Sequence, residues 1–255
     1  MDCQRPGPGA LEPRRIAVVA DIHANMEALT AVLADMAAQS TDALVCLGDC
    51  VGYGAEPLEA VRTVAALECP TVMGNHELGL RFPRILAWFN PLARASLEIT
   101  AGRLDAAARA WIGSLPAVIR RWGGRFVHGL PPASPMRYLF QASSDQLERR
   151  MLTMPEPLCF VGHTHRLEVV CQRSDRIERR RLTTTPVLLD PEARYIINVG
   201  SVGQPRDGTP EAKYLIWEPD QHRIRLRAVA YPYRAAADKI RRAGLPEAHA
   251  MRLLP

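Results

Sequence analysis

Seven histidines occur in the chain, at positions 23, 76, 128, 163, 165, 222 and 249. Five of them fall in short polar groups: Asp21-Ile22-His23, Gly74-Asn75-His76-Glu77, Val127-His128-Gly129 and Gly162-His163-Thr164-His165, with Gly48-Asp49 adding a carboxylate between the first two. Together Asp21, His23, Asp49, Asn75, His128, His163 and His165 offer two carboxylates, four imidazoles and one amide oxygen. A mixed nitrogen and oxygen set suits Mn, Fe, Zn or Ni, whereas Ca and Mg favour all-oxygen shells. Seven donors exceed the needs of one tetrahedral ion. They suffice for two divalent transition metal ions sharing a carboxylate. On an extended segment alternate side chains point to one side, so Asp21 with His23, and His163 with His165, are expected to reach a common ion. Each group alone is bland; a Gly-Asp is usually a turn. Their ordered occurrence carries the chemistry. His222 and His249 stand outside any motif and read as surface or structural residues.

Each polar group follows an apolar run. Residues 16–20, 43–47 and 70–73 read as buried strands. Between them, 25–36 and 57–67 carry apolar residues at helical spacing. This β-α-β-α-β rhythm predicts a parallel sheet with helices against it. Ligands in open α/β sheets gather at the strand C-terminal edge, where these groups would lie. The rhythm changes over about 80–115, which reads as a helical insertion holding Arg81, Arg84, Arg94 and Arg103. A hairpin is expected at 118–128 around Gly123-Gly124. Strands follow at 158–161, 167–172, 177–182, 195–199, 213–217 and 224–230, with helices at 144–153, 234–243 and 246–253. The expected organisation is a disordered leader at 1–13 and a single domain over 14–255.

The 255 residues are 47% hydrophobic and 23% charged, which excludes a wholly disordered chain. No apolar run is long enough to span a membrane, and the Pro- and Gly-rich start lacks a secretory apolar stretch. Six cysteines, at 3, 46, 50, 69, 159 and 171, show no Cys-x-x-Cys spacing. They read as buried hydrophobes in a reducing compartment, so a cytoplasmic location is expected. The net charge is +5, and the basic residues are almost all arginine. The densest run, Arg173 to Arg181, lacks interleaved aromatics and reads as a solvated strand edge or hairpin before a nucleic-acid site.

As an ordered set these blocks resemble the calcineurin-like metallophosphoesterases, in their small prokaryotic phosphodiesterase-like branch. The loop Asn198-Val199-Gly200-Ser201-Val202-Gly203-Gln204-Pro205-Arg206-Asp207-Gly208 extends the likeness. The resemblance implies a four-layer α/β/β/α sandwich with a dimetal site at one edge. It implies that Asp21, His23, Asp49 and His165 hold one ion, that Asp49, Asn75, His128 and His163 hold the other, and that Asp49 bridges. His76 resembles the family's general acid, and Glu77 beside it is a candidate for orienting the site. The implied reaction is hydrolysis of a phosphate ester by a hydroxide held between the metals. The chain departs from related phosphatases at Gly52-Tyr53-Gly54, where an Asp-Arg would supply a phosphate-gripping arginine. It also departs at Leu130-Pro131-Pro132 and Val199. Tyr53 and Arg206 are thus candidate substrate-binding residues. A neutral wall suits the less charged ester, so a small phosphodiester is the expected substrate. A phosphomonoesterase or protein phosphatase, a nuclease and a non-catalytic scaffold remain as alternatives.

Overall fold

The computed structural model describes residues 12–174 and 176–255. The expected leader therefore falls, except for its last two residues, outside the described residues, as does Cys3.

Two sheets stack face to face. The first holds five strands in the order β2-β1-β10-β11-β8. These are β1 (Ile16–Val19), β2 (Ala43–Cys46), β8 (Val187–Leu188), β10 (Ala212–Glu218) and β11 (Arg223–Val229). Only β1 and β2 run parallel in it. The second holds six strands in the order β3-β4-β5-β9-β6-β7. These are β3 (Val118–Arg121), β4 (Gly124–Val127), β5 (Leu158–Val161), β6 (Leu167–Arg173), β7 (Arg176–Arg181) and β9 (Arg194–Val199). Here β4, β5 and β9 run parallel.

Side-chain alternation along the strands builds four layers. Ile16 and Val18 of β1 face inward, with Phe126, Phe160, Val169 and Ile197 of the second sheet, and form the core between the sheets. Ala17 and Val19 point the other way, onto Leu29, Val32 and Met36 of α1 (Met26–Ala38), Val61 of α2 (Pro57–Ala66) and Ile240 of α7 (Tyr233–Arg242). On the far side, Val127, Cys159, Val161 and Ile196 pack on Leu147 and Met151 of α6 (Ser144–Thr153). The α/β/β/α sandwich is thus written in alternating apolar residues on both sheets.

Helices fill the segment expected to be helical: α3 (Asn75–Arg81), a 3-10 turn at Pro83–Trp88, α4 (Pro91–Arg103) and α5 (Ala106–Ser114). A short α8 (Glu247–Met251) ends the chain. The third strand expected at 70–73 is reduced to a single parallel bridge from Thr71 to Cys46. Asn75 then opens α3 almost at once, and the run is too short to add a rung. The arginine-rich run forms the β6–β7 hairpin, with β7 as an edge strand, as charged residues on an exposed edge would favour. Cys46, Cys50 and Cys159 are buried and free, and Cys69 and Cys171 are half-buried and free. Among the described residues no helix is long and apolar enough to cross a membrane.

Candidate metal centre

The five parallel strands β1, β2, β4, β5 and β9 all end toward one edge, and the polar groups follow them there. Asp21, His23, Asp49, His76, His128 and Asn75 are buried, as are His163 and His165. The loops carrying them are stitched together by backbone bonds. The Asp21 N–H donates to the Gly48 carbonyl at 3.0 Å, and the His23 N–H to the Asp49 carbonyl at 2.8 Å. The Gly162 N–H donates to His128 at 2.8 Å, and the Gly203 N–H to Asp21 at 2.9 Å.

The local geometry corrects one expectation. Asp21 and His23 reach a common point, but by tight turns, without extended alternation, and His163 and His165 do not share one: His165 turns to Asp21 and His23, and His163 to Asp49 and His128. Asp21, His23, Asp49, Tyr53, His163 and His165 all have φ between 51° and 66°. Left-handed backbone costs a non-glycine residue about 1–3 kcal/mol and persists only where its surroundings impose it. Its concentration at this edge means that the fold holds these side chains against their local preference.

The donor atoms converge on two neighbouring points. Asp21 Oδ1 lies 3.3 Å from His165 Nε2 and 3.8 Å from His23 Nε2, and the two histidine nitrogens are 3.0 Å apart. Across from them, His128 Nε2 lies 3.2 Å from Asp49 Oδ2, 2.9 Å from Asn75 Oδ1 and 3.2 Å from His163 Nδ1. Asp49 Oδ2 stands between the two groups, 3.9 Å from His23 Nε2. That is the position a bridging carboxylate needs.

The outer nitrogens show what the inner ones can do. His23 Nδ1 donates to the Val51 carbonyl at 3.1 Å, His128 Nδ1 to Leu47 at 2.8 Å, and His165 Nδ1 to Gln204 at 2.6 Å. His163 is reversed: its Nε2 donates to Met136 at 3.3 Å and its Nδ1 points inward. Each ring thus commits one N–H outward and turns the other nitrogen to the cluster, the arrangement found around metal-ligating histidines. Inward lone pairs 3.0 Å apart require a cation or a proton between them. The residues present therefore fit one ion at Asp21, His23 and His165 and another at Asp49, Asn75, His128 and His163.

Burial and charge tune the groups further. Burial pushes the Asp49 carboxyl up, but His128, His76 and His23 outweigh it and hold it well below the usual carboxylate range. Burial disfavours the His128 imidazolium, yet the Asp49 and Asp21 carboxylates and the Leu47 carbonyl push its pKa up to about 10. A proton on His128 thus takes the place of a cation in the metal-free cluster. His23 and His163 lie well below the ordinary histidine value, chiefly through burial.

His76 occupies a different position from the other four rings of the cluster. Its backbone N–H donates to Asp49 Oδ1 at 2.9 Å, which fixes the start of α3 on that carboxylate. Its Nε2 lies 3.9 Å from Asp49 Oδ2, and its Nδ1 is buried without a hydrogen-bond partner. Burial lowers its pKa to about 4 against the pull of Asp49, so at neutral pH the free protein holds it as neutral imidazole. His76 also lies close enough to His23 and Asp49 to share an ion with them.

Glu77 is an organising residue. Its carboxylate accepts the N–H groups of Asp49 at 2.8 Å, Cys50 at 2.7 Å and Gly74 at 2.9 Å, and so ties the loop after β2 to the start of α3.

An aromatic wall flanks the centre. The Tyr53 ring lies 4.4 Å from His23, 4.6 Å from His76 and 4.5 Å from His249 between centroids. The Tyr53 N–H donates to Ser96 Oγ of α4 at 2.6 Å. Burial pushes the Tyr53 hydroxyl up to about 12, with the Arg206 guanidinium beside it opposing the shift. His249 is buried, and its Nε2 bonds the Leu92 carbonyl at 3.2 Å. His222 is exposed on a turn. The sequence did not single out Tyr138, which stacks on His163 at 3.9 Å and 7°. Tyr138 sits in the Pro-rich loop after β4 with no motif around it, and only the folded contact reveals it.

The same architecture recurs in known proteins. Residues 15–222 match the family model of the calcineurin-like phosphoesterase superfamily domain. The chain is 35% identical over 237 residues to the uncharacterized protein MJ0912 of Methanocaldococcus jannaschii, covering 91% of this chain and 94% of that one. A metallophosphoesterase from Sphaerobacter thermophilus superposes with a TM-score of 0.81 and 36% identity, over 95% of this chain and 98% of its own. The hypothetical protein PH1004 from Pyrococcus horikoshii OT3 shares the fold at a TM-score of 0.74 and 18% identity, over 94% and 97% of the two chains. With two stacked sheets, a buried His/Asp cluster at their edge and a family match over most of its length, the chain belongs to the calcineurin-like phosphoesterase superfamily.

Proposed function

We propose that this protein is a dimetal phosphoesterase that hydrolyses a small phosphodiester. The observation that carries the proposal is the commitment of one N–H of each of His23, His128, His163 and His165 to a backbone carbonyl, which leaves four inward nitrogens facing Asp21, Asp49 and Asn75. Two divalent transition ions, drawn from Mn, Fe, Zn and Ni, would supply positive charge for the phosphate and lower the pKa of a water toward 7.

The protein's own groups do the rest. Asp21, His23, Asp49 and His165 would hold one ion, and Asp49, Asn75, His128 and His163 the other. Glu77 positions the Asp49 loop. His76 would deliver a proton to the leaving oxygen. Its low pKa in the free protein means that the anionic substrate must raise it, since a negative charge nearby favours the imidazolium.

Tyr53 supports the preference for a diester. It is a buried neutral phenol where a second cation would help a dianionic monoester. A monoesterase reading draws on one observation, the Arg206 guanidinium beside the Tyr53 hydroxyl, which offers a cation from another loop. The deciding experiment is kcat/KM for bis-nitrophenyl phosphate against nitrophenyl phosphate at fixed Mn. A ratio above one is expected, and a ratio clearly below one assigns a monoesterase.

A further inference from the structure

Beside the metal cluster lies an open basin of about 450 Å³. Thr164, the residue between His163 and His165, forms part of its wall, so the basin begins next to the ligand histidines. Arg166, Arg179, Arg181 and Arg206 line it, with Arg180 and the two carboxylates Glu168 and Asp207.

Both carboxylates are already paired. Glu168 takes Arg179 at 2.8 and 3.2 Å, and Asp207 takes Lys213 at 3.3 Å. Arg181 donates to the Asp207 backbone carbonyl at 2.9 Å and Arg206 to Gln204 Oε1 at 3.0 Å, contacts that orient each guanidinium without neutralising it. Among the described residues no carboxylate forms an ion pair with Arg166, Arg181 or Arg206.

Edge protection accounts for charge on β7, where Arg179 and Arg181 share a face by strand alternation. It does not account for Arg166 and Arg206, which arrive from the loops after β5 and β9. Three separate segments bring like charges to one concavity, at a cost in mutual repulsion. An anion removes that cost, and guanidinium groups match phosphate oxygens in pairs. A ladder of rings leads from the cluster toward it: Tyr138 stacks on His163, Phe140 stacks on Tyr138 at 4.9 Å and 12°, and the Arg166 guanidinium lies 5.8 Å over Phe140. Phe140 is 54% exposed, an open face for a planar group.

We infer that the substrate carries a second anionic group, a phosphate held in the Arg166–Arg181–Arg206 basin while the scissile phosphate lies at the metal cluster. The inference rests on the phosphoesterase reading and narrows it to bis-anionic esters.

The test uses the Mn-loaded full chain and two nitrophenyl esters that differ by one phosphate: thymidine 5′-(nitrophenyl phosphate) and its 3′-phosphorylated counterpart. The second phosphate should raise kcat/KM about tenfold or more, mostly through KM, as charge-assisted contacts of this kind provide. Arg166→Ala and Arg181→Ala, both at exposed positions, should each bring the ratio between the two esters toward one. In parallel, calorimetry should show thymidine 3′,5′-bisphosphate binding about tenfold more tightly than thymidine 5′-phosphate, with the preference weakening as salt rises.

A wild-type ratio near one with both esters cleaved overturns the basin and leaves the phosphoesterase standing. An unchanged ratio in both variants overturns it as well. A binding preference that both variants abolish, without cleavage of either ester, supports the basin as an anion site and removes the hydrolytic reading.

Discussion

Gly52→Ala isolates the position of His76 from the metal ligands. Gly52 has φ +83°, where an L side chain costs about 1–2 kcal/mol. An added Cβ would lie 2.8 Å from His76 Cε1 and closer still to Nδ1, so the ring must move. Overpacking of this kind costs about 1–3 kcal/mol. The two effects together amount to roughly 2–5 kcal/mol, or a fall in Tm on the order of 5–15 °C for a domain of this size. Displacing a reacting group by about 1 Å costs roughly a hundredfold in rate. The loss should be large for an alkyl leaving group and small for nitrophenolate, which needs little protonation. The metal content should be kept, because the atoms nearest the added Cβ all belong to the His76 ring. The double variant Gly52→Ala/His76→Ala separates the two costs. With the ring gone the overlap vanishes, so the alanine at 52 should then cost only the backbone penalty. Thermal unfolding of the four proteins gives the coupling directly. Equal cost with and without the His76 ring, or an unchanged rate on alkyl esters, refutes the assignment.

Three further outcomes are expected. His76→Ala should retain metal and lose about 10²–10⁴-fold on poor leaving groups, the range of general acid catalysis; elemental analysis showing lost metal would make His76 a ligand. Because Asp49 and Asp21 raise the His128 pKa to about 10, the stability its proton gives the metal-free protein is full below the unfolded value of about 6.5 and lost as pH rises through about 10. An ion must displace that proton, so Mn affinity should climb with pH across this window, with proton release visible by calorimetry in buffers of different ionisation heat; a pH-independent affinity contradicts it. Chelation should lower Tm and Mn restore it, by about 2.7 kcal/mol at a hundredfold excess over Kd, with superimposable melting curves as the contrary result.

The candidate site was legible because its residues sit at a fixed place relative to apolar runs. Asp21, Asp49, His128 and His163 each follow a strand closely, and parallel strands deliver such positions to one edge. The four layers followed only from the family resemblance, since Ile16-Ala17-Val18-Val19 is apolar throughout and its two faces separate only in the fold. What escaped was set by distant contacts. The Tyr53–His249 stack joins residues nearly two hundred positions apart, and nothing in the short final helix marks its histidine as a neighbour of the site. The carbonyl partners of His23, His128, His163 and His165 are backbone atoms, invisible to residue type. Residues 70–73 have strand composition but form one bridge, because α3 must begin at Asn75 to bring it to His128. The two-residue β8 carries no period to read.

If the convergent His/Asp cluster is a two-ion catalytic centre, hydrolysis must follow metal occupancy. The most direct test is to titrate metal-free protein with Mn while following bound ions by elemental analysis and hydrolysis of bis-nitrophenyl phosphate in the same samples. Hydrolysis should rise with occupancy and saturate at about two ions per chain, and Asp49→Asn, which removes the bridging carboxylate, should lower both together. Full hydrolysis by protein stripped of metal, or a chain that binds no Mn, Fe, Zn or Ni on reconstitution, would contradict it.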